Sequence, residues 1–297
     1  MKEPGQEKEK PVEQNEWVTN TALGPAECRA YTDIPFSREI YEELRRLSAE
    51  GGVIITEQLD TVTMPKEYLP LFEARYKLIN RLVRESNSNQ ILEIASGYSP
   101  RGIEMAQDAS VNYVELDRPV VANRKRALVD SLIFRQKIPV ESNLHILGGD
   151  ALSSLDLEAA AKFFGDGPLT IINEGLLKYL TIEEKATLGR NIHRLLSRFG
   201  GVWITPDFSP DVPSIKKSDR EIEMHKGFDF KKRAFGSMEE FIAFFEQLGF
   251  TVEQRNFGEI ANELVSPKVI GFSEKETKDI IKKSTAFVMR VVGQKNE

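Results

Sequence analysis

The sequence predicts an α/β fold, a doubly wound, mostly parallel sheet of seven strands with helices on both faces and a helical extension in front of it. Three observations predict it. From about residue 90 onward, short β-branched or apolar runs alternate with longer amphipathic ones, the rhythm of successive β–α units. Before that, Thr21 to Glu85 shows a mostly helical pattern interrupted by Pro25, Pro35 and Pro65. The length of 297 residues with 40% hydrophobic content is enough to bury the core of one large α/β domain.

The elements follow in order. Residues 1–16 are rich in Lys, Glu, Gln and Pro and read as a disordered tail; 17–297 read as one domain, with 17–88 as the helical extension. Ile91–Ala95 is the first expected strand and Arg101–Gln107 a helix; Val111–Glu115 is the second strand, with a helix over Pro119–Phe134. Leu144–Leu147 and Leu169–Ile172 are the third and fourth strands, separated by a helix over Leu157–Phe164. A long helix spans Ile182–Phe199: Thr181 and Glu184 stand at capping-box spacing, and Leu188, Ile192, Leu195 and Leu196 form its apolar stripe. Gly201–Ile204 is the fifth strand, Met238–Leu248 a helix, Val252–Phe257 the sixth strand and Thr285–Val292 the seventh. The charged, Pro-containing segment 206–235 reads as an insertion on the substrate side, because insertions at the carboxyl ends of strands border the ligand crevice.

Composition narrows the function classes. A formal net charge of −6 gives no general attraction to nucleic acid or anionic lipid. Three histidines and one cysteine, Cys28, are too few for a His/Cys metal cluster, so no metal is expected, and a single cysteine suits a reducing cytoplasm. No run is long and apolar enough to cross a bilayer. The expectation is a cytoplasmic protein, monomer or homodimer, without nucleic-acid or membrane partners.

The residues with chemical potential gather at strand ends. The first strand, carrying Glu93 and Ala95, runs into a turn at Gly97 that lets the backbone approach a ligand. The second ends in Glu115–Leu116–Asp117, a carboxylate placed to accept from ribose hydroxyls or, with Pro119 following, to cap a helix. The third ends at Gly148–Gly149–Asp150–Ala151, either an adenine edge or a turn cap; the fourth leads into Asn173–Glu174–Gly175 and on to Tyr179. Arg75 lies on the apolar face made by Leu71, Phe72, Leu78, Ile79 and Leu82, so its guanidinium needs a partner: a ligand carboxylate or a protein one.

These motifs resemble the leucine carboxyl methyltransferase family and its bacterial relatives that methylate small-molecule carboxylates, including polyketide-tailoring O-methyltransferases. The resemblance runs from Thr21 through the last strand. It is carried by Thr21–Ala22–Leu23 with Arg29–Ala30, by Glu73–Ala74–Arg75, by Leu92 to Gly97, by Tyr113 to Pro119 with Lys125, and by Asn173 to Thr181. It implies a class I, Rossmann-like methyltransferase fold and S-adenosylmethionine as cofactor, with S-adenosylhomocysteine as product. It also implies that Arg75 binds the cofactor carboxylate, Gly97 passes the methionine portion, Asp117 holds the ribose, Asp150 lies by the adenine and Glu174 is near the amino group. Tyr179 and Arg29 fall on segments that the family places around the acceptor. Relatives carry Gly-x-Gly followed by Asp-Thr-Arg; this chain has Ala95–Ser96–Gly97 and then Tyr98–Ser99–Pro100–Arg101, which marks a divergent subgroup.

The expected activity is O-methylation of a carboxylate on a small molecule or peptide. Such an acceptor is ionised near neutral pH and needs no general base, which agrees with the lack of a convincing Ser/His/Asp set or nucleophilic cysteine. His145 and His193 read as structural; His225 and the lysines and arginines of the insertion are weaker candidates for contact with an anionic substrate. Two other classes remain: a protein that binds the cofactor without turnover, and a nicotinamide-dependent oxidoreductase, against which stands the absence of Gly-x-Gly-x-x-Gly after the first strand.

Overall fold

A computed structural model of the chain describes residues 21–50, 64–139, 142–208 and 229–293. The tail 1–16, most of the insertion and His225 with Lys216, Lys217, Arg220 and Lys226 lie outside the described residues.

Seven strands form one sheet: β1 (Gln90–Ile94), β2 (Asn112–Asp117), β3 (Leu144–Gly148), β4 (Leu169–Asn173), β5 (Gly201–Phe208), β6 (Phe250–Asn256) and β7 (Thr285–Val291). Their spatial order is β3-β2-β1-β4-β5-β7-β6. The pairs β1–β2, β1–β4, β2–β3 and β4–β5 are parallel, whereas β7 runs antiparallel to both β5 and β6. The carboxyl ends of β1 to β5 therefore share one rim, and the strand order reverses between β1 and β4, the place where such sheets bind ligands.

Among the described residues, three helices form the extension: α1 (Leu23–Ala30), α2 (Ser37–Ala49) and α3 (Tyr68–Glu85). Helices α4 (Arg101–Met105), α5 (Pro119–Phe134), α6 (Ser154–Ala161), α7 (Ile182–Phe199) and α8 (Met238–Gln247) follow their strands as expected, with ends shifted by a few residues. Strand parity divides the core. Leu92 and Ile94 of β1, and Val114 and Leu116 of β2, pack with α6, α7 and α8 on one face. Ile91 and Tyr113 point the other way, against Leu78, Ile79 and Leu82 of α3. The stripe on α7 is buried as expected, and Thr181 and Glu184 form the reciprocal capping box. Leu78 and Ile79 are fully buried, so truncating either to alanine is expected to cost about 2–5 kcal/mol.

Two departures from the sequence reading have physical causes. Strand β5 runs on to Phe208 instead of stopping at Ile204, because its register against β7 shifts between Thr205 and Phe208 and so accommodates Pro206. Residues 206–208 thus belong to the strand, and any insertion starts after them. Before β7 stand two helices not foreseen, α9 (Ser266–Ile270) and α10 (Glu274–Ile281); Ser273 and Glu276 cap the latter reciprocally, a spacing legible in the sequence. No helix among the described residues is long and apolar enough to cross a membrane.

Candidate functional site

The site is built where the extension meets the crevice between β1 and β4. After β1 the backbone turns left-handed at Ala95 (φ 57°) and again at Gly97 (φ 52°). The Ala95 N–H donates to the Leu116 carbonyl at 2.8 Å, which ties the turn to β2. A side chain on Gly97 would place its Cβ 3.1 Å from that of Ala22, so the extension closes directly over this turn. Asp117, at the end of β2, accepts from the N–H of Gly97 and of Arg118, both at 2.7 Å. It does not cap α5, whose N-cap residue is Arg118. Burial raises the Asp117 pKa while those two N–H groups oppose the shift.

Glu174, just past β4, is the centre of the charge arrangement. Its Oε1 accepts from Arg75 Nε at 2.9 Å and is ion-paired with Arg75 Nη2 at 2.7 Å, and Arg29 Nη1 stands 3.7 Å away. Its Oε2 accepts from Arg101 Nη2 at 3.1 Å. Burial alone would raise its pKa, but Arg75, Arg101 and Arg29 together hold it at about 2. Arg75 thus has a protein carboxylate as its partner in this structure, and its guanidinium also lies 4.5 Å over the Phe72 ring. Arg101, fully buried, reaches Glu93 with Nη1, donates to Asn80 Oδ1 at 2.7 Å and lies over the Tyr76 ring. Glu104, further out, is matched by Arg84. Among the described residues, three guanidiniums therefore face the two carboxylates Glu174 and Glu93, leaving one positive charge in excess.

The loop that carries Glu174 is moored to β5. Asp207 accepts from the N–H groups of Gly175 (2.6 Å), Leu176 (2.7 Å) and Leu177 (2.8 Å) and from Asn173 Nδ2 (2.7 Å). Asn173 is in turn held by Trp203 Nε1 at 2.7 Å. Tyr179 is buried, with its hydroxyl 3.1 Å from Thr21 Oγ1 and its ring 6.0 Å from that of Phe230. It lies where the extension and the flank of the insertion meet. Lys185 of α7 donates to the Leu180 and Arg233 carbonyls at 2.5 Å each; burial, then Arg233, lowers its pKa to about 8.

The structure brings together Arg29, Arg75, Glu174, Gly97 and Asp117, with Ala95 in the same turn. It does not bring Glu93 or Glu115 to the crevice. Both lie short of the strand ends, on the face packed against α3, and both are buried. Glu93 accepts from Arg101 and from the Tyr113 hydroxyl at 2.8 Å. Glu115, fully buried, pairs with Lys125 at 2.5 Å and accepts from Ser96 at 3.1 Å; burial pushes its pKa up to about 7 despite Lys125. In this structure both are engaged by internal partners. Asp150 is exposed and accepts from the Leu152 N–H at 2.9 Å, the turn-cap alternative; Ala151 packs against the core. Sequence reasoning missed Arg101 and Asp207. The acid Glu93 at an inward position of β1 was the signal for the first, since a buried carboxylate demands a cation.

No protein-family model and no curated protein matches the chain. Solved structures do match it. Magnesium protoporphyrin IX methyltransferase from Synechocystis PCC 6803 with bound SAH is 12% identical over 86% of this chain and 95% of its own, with a TM-score of 0.46. An O-methyltransferase family protein from Burkholderia thailandensis is 10% identical over 77% of this chain and 60% of its own, with a TM-score of 0.44. Phosphoethanolamine N-methyltransferase 2 from Haemonchus contortus, in complex with phosphomonomethylethanolamine and S-adenosylhomocysteine, is 12% identical over 74% of this chain, with a TM-score of 0.43; the chain spans 53% of its length. Likeness at this identity concerns architecture alone. Among the described residues the chain itself shows a doubly wound, mostly parallel seven-stranded sheet with an antiparallel β7 and flanking helices.

Proposed function

We propose that this protein is an S-adenosylmethionine-dependent O-methyltransferase that esterifies a carboxylate on a small molecule or peptide, a divergent relative of the leucine carboxyl methyltransferases. One observation carries the reading: among the described residues, the buried cluster of Arg29, Arg75 and Arg101 has one cation more than its two carboxylates and lies beside the Gly97 turn. An excess guanidinium in a buried crevice is costly without a further anion. The carboxylate of the cofactor's amino acid portion suits it in charge and in its fit to the Arg75 fork. Asp117, at the end of β2, would accept from ribose hydroxyls.

When bound, the cofactor supplies a methyl group on a sulfonium, a ready electrophile. The chain's part is to hold that group in line with the acceptor and keep water out. The buried Tyr179 and the covering residues Thr21 and Ala22 lie where that exclusion is needed. Glu174, held near 2 by three guanidiniums, is too weak a base to deprotonate an alcohol or phenol. A carboxylate acceptor, already ionised near neutral pH, needs no such base.

Calorimetry with S-adenosylhomocysteine and NAD tests the cofactor, and transfer of labelled methyl to candidate acids tests the reaction. Binding of the former with no heat from NAD is expected. Absence of heat with both the methyl donor and its demethylated product overturns the reading; binding without label transfer to any acid leaves the non-catalytic binder as its replacement.

A further inference from the structure

The three guanidiniums are unequally used. Arg101 reaches Glu93, Asn80 and Glu174 with its three nitrogens. Arg75 places two of its nitrogens on Glu174 Oε1. Arg29 is only 4% exposed, yet it donates to the Tyr98 carbonyl at a long 3.3 Å and stands 3.7 Å from that same Oε1. Among the described residues it makes no other hydrogen bond, so its fork is less fully engaged than those of Arg75 and Arg101. Glu174 Oε1 therefore lies between two arginines, in full contact with one and about 1 Å beyond charge-assisted bonding range of the other.

We propose that Arg29 is a second berth for Glu174: the ligand carboxylate displaces Glu174 from Arg75, and Glu174 moves onto Arg29, so that cofactor binding is an exchange of carboxylates. This rests on the reading of the site given above. The exchange leaves every guanidinium paired once: Arg101 with Glu93, Arg29 with Glu174, and Arg75 with the ligand. It also makes Glu174 an internal stand-in that keeps Arg75 neutralised until the ligand arrives. Arg29 is then a positioning residue, acting through Glu174 and not through the ligand.

The test uses two ligands and a double-mutant cycle on the full-length protein. S-adenosylhomocysteine carries the amino acid carboxylate; methylthioadenosine has the nucleoside and sulfur without it. In calorimetry, Arg29→Gln is expected to weaken S-adenosylhomocysteine by about tenfold, because Glu174 then stays on Arg75, and to change methylthioadenosine by less than about twofold. In a Glu174→Gln background the same substitution is expected to alter S-adenosylhomocysteine by less than about twofold. Arg29→Lys keeps the charge without the fork and is expected to give an intermediate loss with the same ligand selectivity, which preserves the test if the glutamine variant does not fold. Equal losses for both ligands, or an undiminished loss in the Glu174→Gln background, overturn the exchange while leaving the cofactor assignment intact. If neither ligand binds the unaltered protein, the cofactor assignment fails and takes the exchange with it.

Discussion

Two buried charge networks lie within one turn of each other and are built on opposite principles. Glu115 and Lys125 form a closed pair, one acid to one base, both essentially inaccessible and joined to the turn through Ser96 and the Ser99 carbonyl. Around Glu174 the count is uneven, and Arg75 keeps 15% of its side chain exposed. Interior pairs are held by mutual need. On the proposed reading, a rim with surplus charge is where a further anion would bind. The balance of charge, more than burial or a shifted pKa, separates scaffold from site here.

The sharpest way to break that contrast is to remove one partner from each network. Lys125→Met leaves Glu115 buried without its cation and is expected to cost about 3 kcal/mol in urea unfolding, moderated because Glu115 can take up a proton. The pH dependence of stability should have opposite signs for the two acids. Glu174 is depressed to about 2, so its contribution is present above about pH 4.5 and lost as pH falls toward 2, up to roughly 3 kcal/mol. Glu115 is raised to about 7, so its contribution is present below about pH 4.5 and lost as pH rises through 7. Urea midpoints measured against pH for Glu174→Gln and Glu115→Gln should each lose one of these slopes; a shared slope would merge the two networks into one. Arg75→Met should weaken S-adenosylhomocysteine by about 10–100-fold in calorimetry, with less loss of stability than Lys125→Met, since Glu174 keeps Arg101 and Arg29. The smallest effect is expected at Ala95, in the turn that links the networks. Ala95→Gly relieves a left-handed alanine and should stabilise by about 0.5–1 kcal/mol in thermal unfolding, partly offset by the freer unfolded chain.

The strands were legible because each is a short apolar run with a polar or glycine exit, and their shared rim was legible because those exits recur along it. The capping box of α7 could be read from spacing alone. Helices α9 and α10 are too short for periodicity to reveal, and the length of β5 was hidden by Pro206, which reads as a breaker until β7 is seen to shift register beside it. Glu93 and Glu115 stand one and two residues before the last residue of their strands and are met there by Arg101 and Lys125, pairings across the chain that spacing does not show. Arg75 was recognised as a cation in need of a partner, but pairing across 99 positions in the chain lies beyond any local pattern.

Asp207 gathers three consecutive backbone amides and a side-chain amide from the segment bearing Glu174, and so fastens that segment to the neighbouring strand. Any travel of the Glu174 carboxyl between its arginine neighbours then falls to rotation about its own side-chain bonds, with the main chain as a fixed pivot. Motions of that kind belong to the picosecond-to-nanosecond range when the side chain has room. A substitution that loosens Asp207 would hand the same displacement to a whole loop, on a timescale orders of magnitude slower.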